Sequence, residues 1–212
     1  SHGDNFVIAT GSYPFHPDGI PFDAESIHDS DTILNINRIP KSIVIVGAGV
    51  IGCEYATIFS AMGTKVHLVN NNSSILPFLD RDISEALVHE MKRSGVEILF
   101  NCSIKTVEPT PVPPPHQDHP ADADASRVTT TLNDGTRLMT DMFLYAAGRN
   151  GGTNGLNLEK AGVAIGKRQA ITVDEHYRTN VPNIFAVGDV IGFPALAATS
   201  MDQGRVAISH MY

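Results

Sequence analysis

The spacing of apolar and polar positions changes several times along the chain, and each change marks an element. Ile43 to Val46 is an unbroken apolar run between Ser42 and Gly47, the pattern of a strand buried on both faces. The period then becomes helical. Ile51, Tyr55, Ile58, Phe59 and Met62 recur on one predicted face, and Gly63 stands where a helix stops. Lys65 to Val69 reads as a second strand. Asp80 and Asp82 open a second helix, whose predicted apolar face carries Ile83, Leu87 and Met91 and whose end is Gly95. Val96 to Phe100 is a third strand. This β-α-β-α-β order predicts a parallel sheet with right-handed crossovers.

Beyond Phe100 the pattern is that of short strands. Ile104 to Glu108, Val128 to Leu132 and Thr136 to Met139 form a predicted antiparallel meander, with Asn133-Asp134-Gly135 as its tight turn. Pro109 to Ser126 separates the first two of these strands. Its density of proline excludes a helix or an inner strand, so a mobile surface insertion is expected. His116, Asp118, His119, Asp122 and Asp124 lie inside it and read as solvated side chains rather than metal ligands. Met142 to Ala147 is a strand that ends at Gly148-Arg149, and a loop follows over Asn150 to Gly155. Ala170 to Val173 and Ile184 to Val187 are further short strands, and Ala195 to Tyr212 is helical. At the other end, Phe6 to Thr10 is a strand ending at Gly11. Tyr13 to Pro21 is an extended connection, and Asp29-Ser30-Asp31 offers an N-cap to a short helix over Thr32 to Ile36.

The chemistry suggested by the pattern sits in the turn after Val46. Gly47, Gly49 and Gly52 have G-x-G-x-x-G spacing, with a strand before them, a helix after them and a second strand beyond. The first glycine permits a tight turn, the second lets the backbone approach a pyrophosphate, and the third lets helix pack close on strand. The helix start, Val50 and Ile51, then presents free N–H groups and a favourable dipole to the phosphates. Dinucleotide binding is therefore expected, against the alternative that the glycines serve packing alone. The fold class expected is α/β: a Rossmann-like dinucleotide-binding domain, with a parallel sheet plus an antiparallel meander, flanked by other parts. Asn70 ends the second strand, eighteen residues after Gly52, where NAD-specific folds place an acid on the adenosine ribose. An uncharged side chain there tolerates NAD and NADP alike. The next four residues, Asn71, Asn72, Ser73 and Ser74, offer no cation to a 2′-phosphate, so both cofactors are expected to bind, NADP(H) more weakly than in related folds that carry an arginine there. The alternative is that Asn70 caps a turn.

Composition narrows the reading further. The 212 residues carry a formal charge of −8, which gives no electrostatic case for nucleic acid. No apolar run reaches transmembrane length. Two cysteines, Cys53 and Cys102, are far apart and make neither a disulfide framework nor a metal-ligand spacing. A reducing, cytoplasmic setting is expected. The chain begins Ser-His-Gly, without Met, and ends inside a predicted helix, so a piece of a longer protein is expected.

Four stretches taken together resemble the two-dinucleotide-binding-domain flavoproteins, the pyridine nucleotide-disulfide oxidoreductase family. They are Ala9-Thr10-Gly11, the glycine turn through Glu54, Ala146-Ala147-Gly148-Arg149, and Thr179 to Asp189. In that family a nicotinamide domain is inserted into a flavin domain. The resemblance implies a flavin-domain tail over 1–36, an NAD(P)-binding domain over 37–148 with the insertion at 109–126, and a second flavin-domain part over 149–212. It implies FAD and NAD(P) as cofactors. Gly47, Gly49, Val50, Ile51, Gly52, Glu54, Asn70 and Gly148 would meet NAD(P), with Glu54 on the first helical turn toward the nicotinamide. Gly11, Arg149, Gly188 and Asp189 would meet FAD, with Asp189 on its ribityl chain. His28 to Leu34, Gly47 to Ala56, Tyr145 to Thr153 and Gly188 to Arg205 are similar to the transhydrogenase branch. That branch implies FAD-dependent hydride transfer between NADPH and NAD⁺, with nicotinamide nucleotides as the small-molecule partners. Hydride transfer asks no acid or base of this chain, so no catalytic side chain is named. The alternatives are a dihydrolipoyl dehydrogenase-like disulfide oxidoreductase and a non-catalytic nucleotide-binding redox sensor. The resemblance covers the middle of the family's full chain. A phosphate-cradling turn for FAD is expected upstream, and a homo-oligomer is expected through a C-terminal domain downstream.

Overall fold

The computed structural model describes residues 3–110 and 127–212. The proline-rich stretch from 111 to 126, with the histidines and aspartates named in it, lies outside the described residues. The chain divides into two compact units, Ser1–Phe15 with Arg149–Tyr212, and His16–Gly148. The first boundary therefore falls at 15/16 and not at 36/37 as the sequence suggested.

Two short strands come first, β1 (Phe6–Ile8) and β2 (Ser12–Pro14). The central unit then opens with β3 (Ile27–Asp29) and a single 3₁₀ turn over Thr32–Asn35. The N-cap position is Asp31, which makes no side-chain cap; instead Asp29 Oδ1 accepts the N–H groups of Asp31 (2.9 Å) and Thr32 (2.7 Å). Next come β4 (Ser42–Val46), α1 (Val50–Ala61), β5 (Lys65–Val69), α2 (Arg81–Arg93) and β6 (Glu97–Leu99). The meander is β7 (Ile104–Pro109), β8 (Val128–Leu132) and β9 (Arg137–Thr140), and β10 (Met142–Tyr145) closes the unit. The main sheet has the order β3-β10-β4-β5-β6, and every pairing in it is parallel.

Strand alternation explains why the β4 run is wholly apolar. Ile43 and Ile45 face α1 and α2, together with Val66, Leu68, Met142 and Leu144. Val44 and Val46 face the meander, together with Val69, Phe143, Val107, Val128 and Leu132. A side chain of this kind, fully removed from water, contributes roughly 1.5–3 kcal/mol. Both faces of the strand are used, as expected for a covered parallel sheet.

Both helices keep part of the predicted face: Ile51, Tyr55, Phe59, Leu87 and Met91 pack on the core, while Ile58, Met62 and Ile83 do not. In α1 the buried residues are Gly52, Cys53, Ala56 and Phe59, while Ile58 is 47% and Met62 55% exposed. The cause is Gly52, where a Cβ would stand 1.7 Å from the Gly47 carbonyl oxygen. The helix must press this small-residue side onto β4, which swings Ile58 and Met62 to the flank. In α2, Ser84 and Met91 are buried, Leu87 and Val88 pack on the core, and Ile83 faces out.

The second segment of the outer unit holds β11 (Arg149–Gly151), β12 (Ile184–Ala186) and α3 (Ala197–Met211). β1 pairs parallel with β12, and β2 pairs antiparallel with β11. Thus part of the expected connection after Gly11 and part of the expected loop after Gly148 are strands. Ala170 to Val173 is not a strand. Ile171 makes one bridge to Ile165, and its N–H donates to the Val190 carbonyl at 2.9 Å. The preceding Arg168 and Gln169 are left-handed, with φ of 53° and 59°, which breaks any ladder. Among the described residues no helix is long and apolar enough to cross a membrane.

Candidate functional site

In the central unit the chain leaves β4 through Gly47, whose N–H donates to the Val69 carbonyl at 2.9 Å. Gly47 has φ +101°, a left-handed value, and a Cβ on it would lie 2.8 Å from the Ala147 Cα. Packing therefore demands glycine at 47, as it does at 52. Gly49 is different. Its φ of −79° and ψ of −173° suit any residue, and a Cβ there would meet nothing within 4 Å. Internal packing explains two of the three glycines and leaves the middle one unexplained. Gly49 is also the N-cap of α1 and makes no side-chain cap. Val50, Ile51 and Gly52 begin the helix, where N–H groups lack intrahelical acceptors. The space over Gly49 is thus open, ringed by donors and at the positive end of a twelve-residue helix.

Sheet topology places this turn at a reversal. The chain passes from β4 through α1 to β5 on one side, while β10 lies on the other. Ligands of open α/β sheets bind in the crevice at such a switch point. A cavity of about 300 Å³ opens here, with Val46, Gly47, Val69, Asn71, Tyr145 and Ala147 among its lining. Gly148, exposed and left-handed at φ +132°, follows Ala147.

Two expected details change. Glu54 is exposed and stands on the second turn of α1, not the first. Asn70 is buried, and its Nδ2 donates to the carbonyls of Asn72 (3.1 Å) and Ser74 (2.8 Å). Both side-chain N–H groups thereby cap the 71–74 loop, and Oδ1 is left as an acceptor. Its neighbour Asn71 lines the cavity. Cys53 is buried beside Glu54, and burial together with that charge pushes its thiol up to about 11, so it is inert at neutral pH. Cys53 and Cys102 are both unbridged.

The outer unit gathers Gly11, Arg149, Gly188 and Asp189. Gly11 turns at φ +72°, and its carbonyl accepts the Gly152 N–H at 2.8 Å. Arg149 Nε donates to Ser12 Oγ at 2.8 Å, and Ser12 Oγ donates to Asp189 Oδ2 at 3.0 Å. Gly188, at φ +77°, donates its N–H to Gln203 Oε1 of α3 at 2.7 Å. Ser12 and Gln203 organise this cluster, and a lone serine or glutamine gives no signal in sequence. The pair Gly151-Gly152 did carry one. A Cβ at Gly151 would lie 2.6 Å from the Gln169 carbonyl oxygen, and one at Gly152 2.6 Å from that of Thr10.

The fold and the glycine turn define an α/β protein with a parallel sheet and an open helix N-terminus at its switch point. The chain belongs to the pyridine nucleotide-disulphide oxidoreductase family, whose pattern matches residues 2–204. It is 46% identical over 202 residues to a soluble pyridine nucleotide transhydrogenase of Chromohalobacter salexigens, covering 95% of this chain and 41% of that protein. A protein of the same name from Mycobacterium bovis is 42% identical over 210 residues, covering 99% of this chain and 42% of that one. Among solved structures, the HOCl-induced flavoprotein disulfide reductase RclA of Escherichia coli superposes with a TM-score of 0.83 at 30% identity, over 100% of this chain and 45% of that one. The chain thus spans less than half the length of these relatives.

Proposed function

We propose that the central unit binds NAD(P)(H), that the outer unit supplies part of an FAD site, and that the whole protein is an NAD(P)⁺ transhydrogenase. Gly49 carries the reading: a glycine that packing does not need, at an open helix N-terminus on a topological switch point. The pyrophosphate fits over the N–H groups of Val50, Ile51 and Gly52. In the outer unit the Asp189 carboxylate, oriented by Ser12, offers acceptors to the hydroxyls of a ribityl chain. FAD, when bound, supplies the hydride chemistry between NADPH and NAD⁺. This chain's residues hold and orient the nucleotides, and none of them has to move a proton. The names of the 42–46% identical relatives favour transhydrogenation. Likeness to a disulfide reductase at 30% identity supports a second reading. Cys53 and Cys102 are unbridged and belong to clusters on opposite faces of the sheet, so that chemistry would draw on cysteines from elsewhere in the protein.

Gly49→Ala tests the reading. The variant should keep its melting temperature, because the methyl meets open space. NADH binding, followed by fluorescence, should weaken by at least about tenfold, which corresponds to about 1.4 kcal/mol. Unchanged affinity would show that nothing approaches Gly49. Gly52→Ala is the contrast, and should unfold the unit through the clash with Gly47.

A further inference from the structure

Resting on the reading of the central unit as an NAD(P) site, we propose that Lys105 is the residue that recognises the 2′-phosphate of NADP(H). The loop after β5 cannot do this. Asn70 spends both side-chain N–H groups on Asn72 and Ser74, and an acceptor oxygen suits a 2′-hydroxyl rather than a phosphate. Asn71, Asn72, Ser73 and Ser74 carry no charge.

Lys105 reaches the same cavity from the facing chain segment. That segment is bonded to the Asn70 loop: Asn70 N–H donates to the Leu99 carbonyl (2.9 Å), Cys102 N–H to the Asn70 carbonyl (3.0 Å), and Asn101 N–H to the Asn72 carbonyl (3.3 Å). Three residues after Cys102, the β7–β8 register slips between Ile104 and Thr106, so Lys105 is the extra residue of a β-bulge. A bulge re-aims side chains out of strand alternation and is common beside functional sites. Here it lets Ile104, Lys105, Thr106 and Val107 all contribute to the cavity wall. Lys105 is exposed and makes no ion pair among the described residues. It is the one basic side chain among the described lining residues, and Asp18 is the one acid. Asp18 comes from the connection before β3, which makes no backbone hydrogen bond to the Asn70–Ser74 loop among the described residues. An unpaired ammonium on the wall tied to the ribose-facing loop is placed to meet a 2′-phosphate dianion.

The test compares adenosine 2′,5′-bisphosphate with 5′-AMP, which differ only in the 2′-phosphate, by calorimetric titration of the chain and its variants. Lys105→Gln should weaken the bisphosphate by about tenfold or more, the scale of one charge-assisted hydrogen bond. It should leave 5′-AMP within about twofold, well below that scale, and Lys105→Arg should restore the preference. Added salt should erode the bisphosphate's advantage in the wild type and not in Lys105→Gln, because screening acts on the charge pair. Equal weakening of both ligands, or of neither, overturns the proposal while leaving the nucleotide site standing. A wild-type chain that binds neither ligand overturns the nucleotide reading itself, and the proposal with it.

Discussion

His28 lies in β3 at 1% exposure, with neither ring nitrogen bonded to another side chain. Burial pushes its pKa down, against the opposing pull of the Glu25 backbone, Asp23 and Asp29 and with a small push from Arg38. The unfolded chain therefore takes up a proton before the folded one does, and stability falls as pH drops below about 6.5, the ordinary value for histidine. The fall continues until the folded-state pKa is passed. Asp29 titrates in a separate window. Burial would raise its carboxyl, but hydrogen bonds from Thr32, His16 and Asp31 hold it below the usual range, so its contribution is lost only in stronger acid. Urea unfolding at pH 7.5 and 5.5 should show lower stability at the acid end, and His28→Leu should flatten part of that slope. An unchanged slope in the variant would exclude His28 as a source. His67 is also shifted down by burial and would supply the remainder. At this scale the glycine turn was legible in sequence because its constraint is local. Gly47 and Gly52 meet across one turn, and Gly49 sits between them. The Ser12 cluster was only half legible. Gly11, Arg149, Gly188 and Asp189 could be named from motifs, but Ser12 joins residues 137 and 177 positions away, and nothing local marks it.

Elements were legible where apolar residues run together and obscure where strands are short and polar. β4 and β5 were expected within a residue of their observed ends, because two covered faces force an unbroken apolar run. β3 reads Ile-His-Asp and β2 reads Ser-Tyr-Pro, and neither pattern signals a strand. Helix positions were right and helix faces right in part, because periodicity counts large apolar residues while contact at Gly52 selects small ones, which leaves Ile58 and Met62 outside. Paired truncations separate the two assignments on α1. Phe59→Ala removes a side chain that is 4% exposed and should cost about 3–5 kcal/mol. Ile58→Ala, on the neighbouring outward position, should cost less than about 1 kcal/mol, nearer to a surface change than to a core cavity. Thermal or urea unfolding reads both, and equal costs would restore the face predicted from sequence.

Across the whole molecule, stability should be unequal. The central unit has a five-stranded parallel sheet covered on one face by α1 and α2 and on the other by the meander. The outer unit has two sheets of two strands each, joined by segments from opposite ends of the chain, and small cores around Ile171 and Phe185. Two-stranded pairs are marginal unless packed against more structure. Amide exchange should therefore be slowest in β4, β5 and β10, where opening requires the central unit to unfold, and faster in β1 and β12. The unit boundary gives this experiment its sharper edge. The resemblance assigned residues 1–36 to the outer unit, and nothing in Ile27–Asp29 announces a strand. The structure pairs Ile27 with Phe143 and Asp29 with Tyr145, which fixes the stretch as the edge of the main sheet. Its amides should then follow β10 and not β1 as denaturant is added. If Ile27–Asp29 instead exchanged together with Phe6–Ile8, the division at 15/16 would be wrong and the one at 36/37 right.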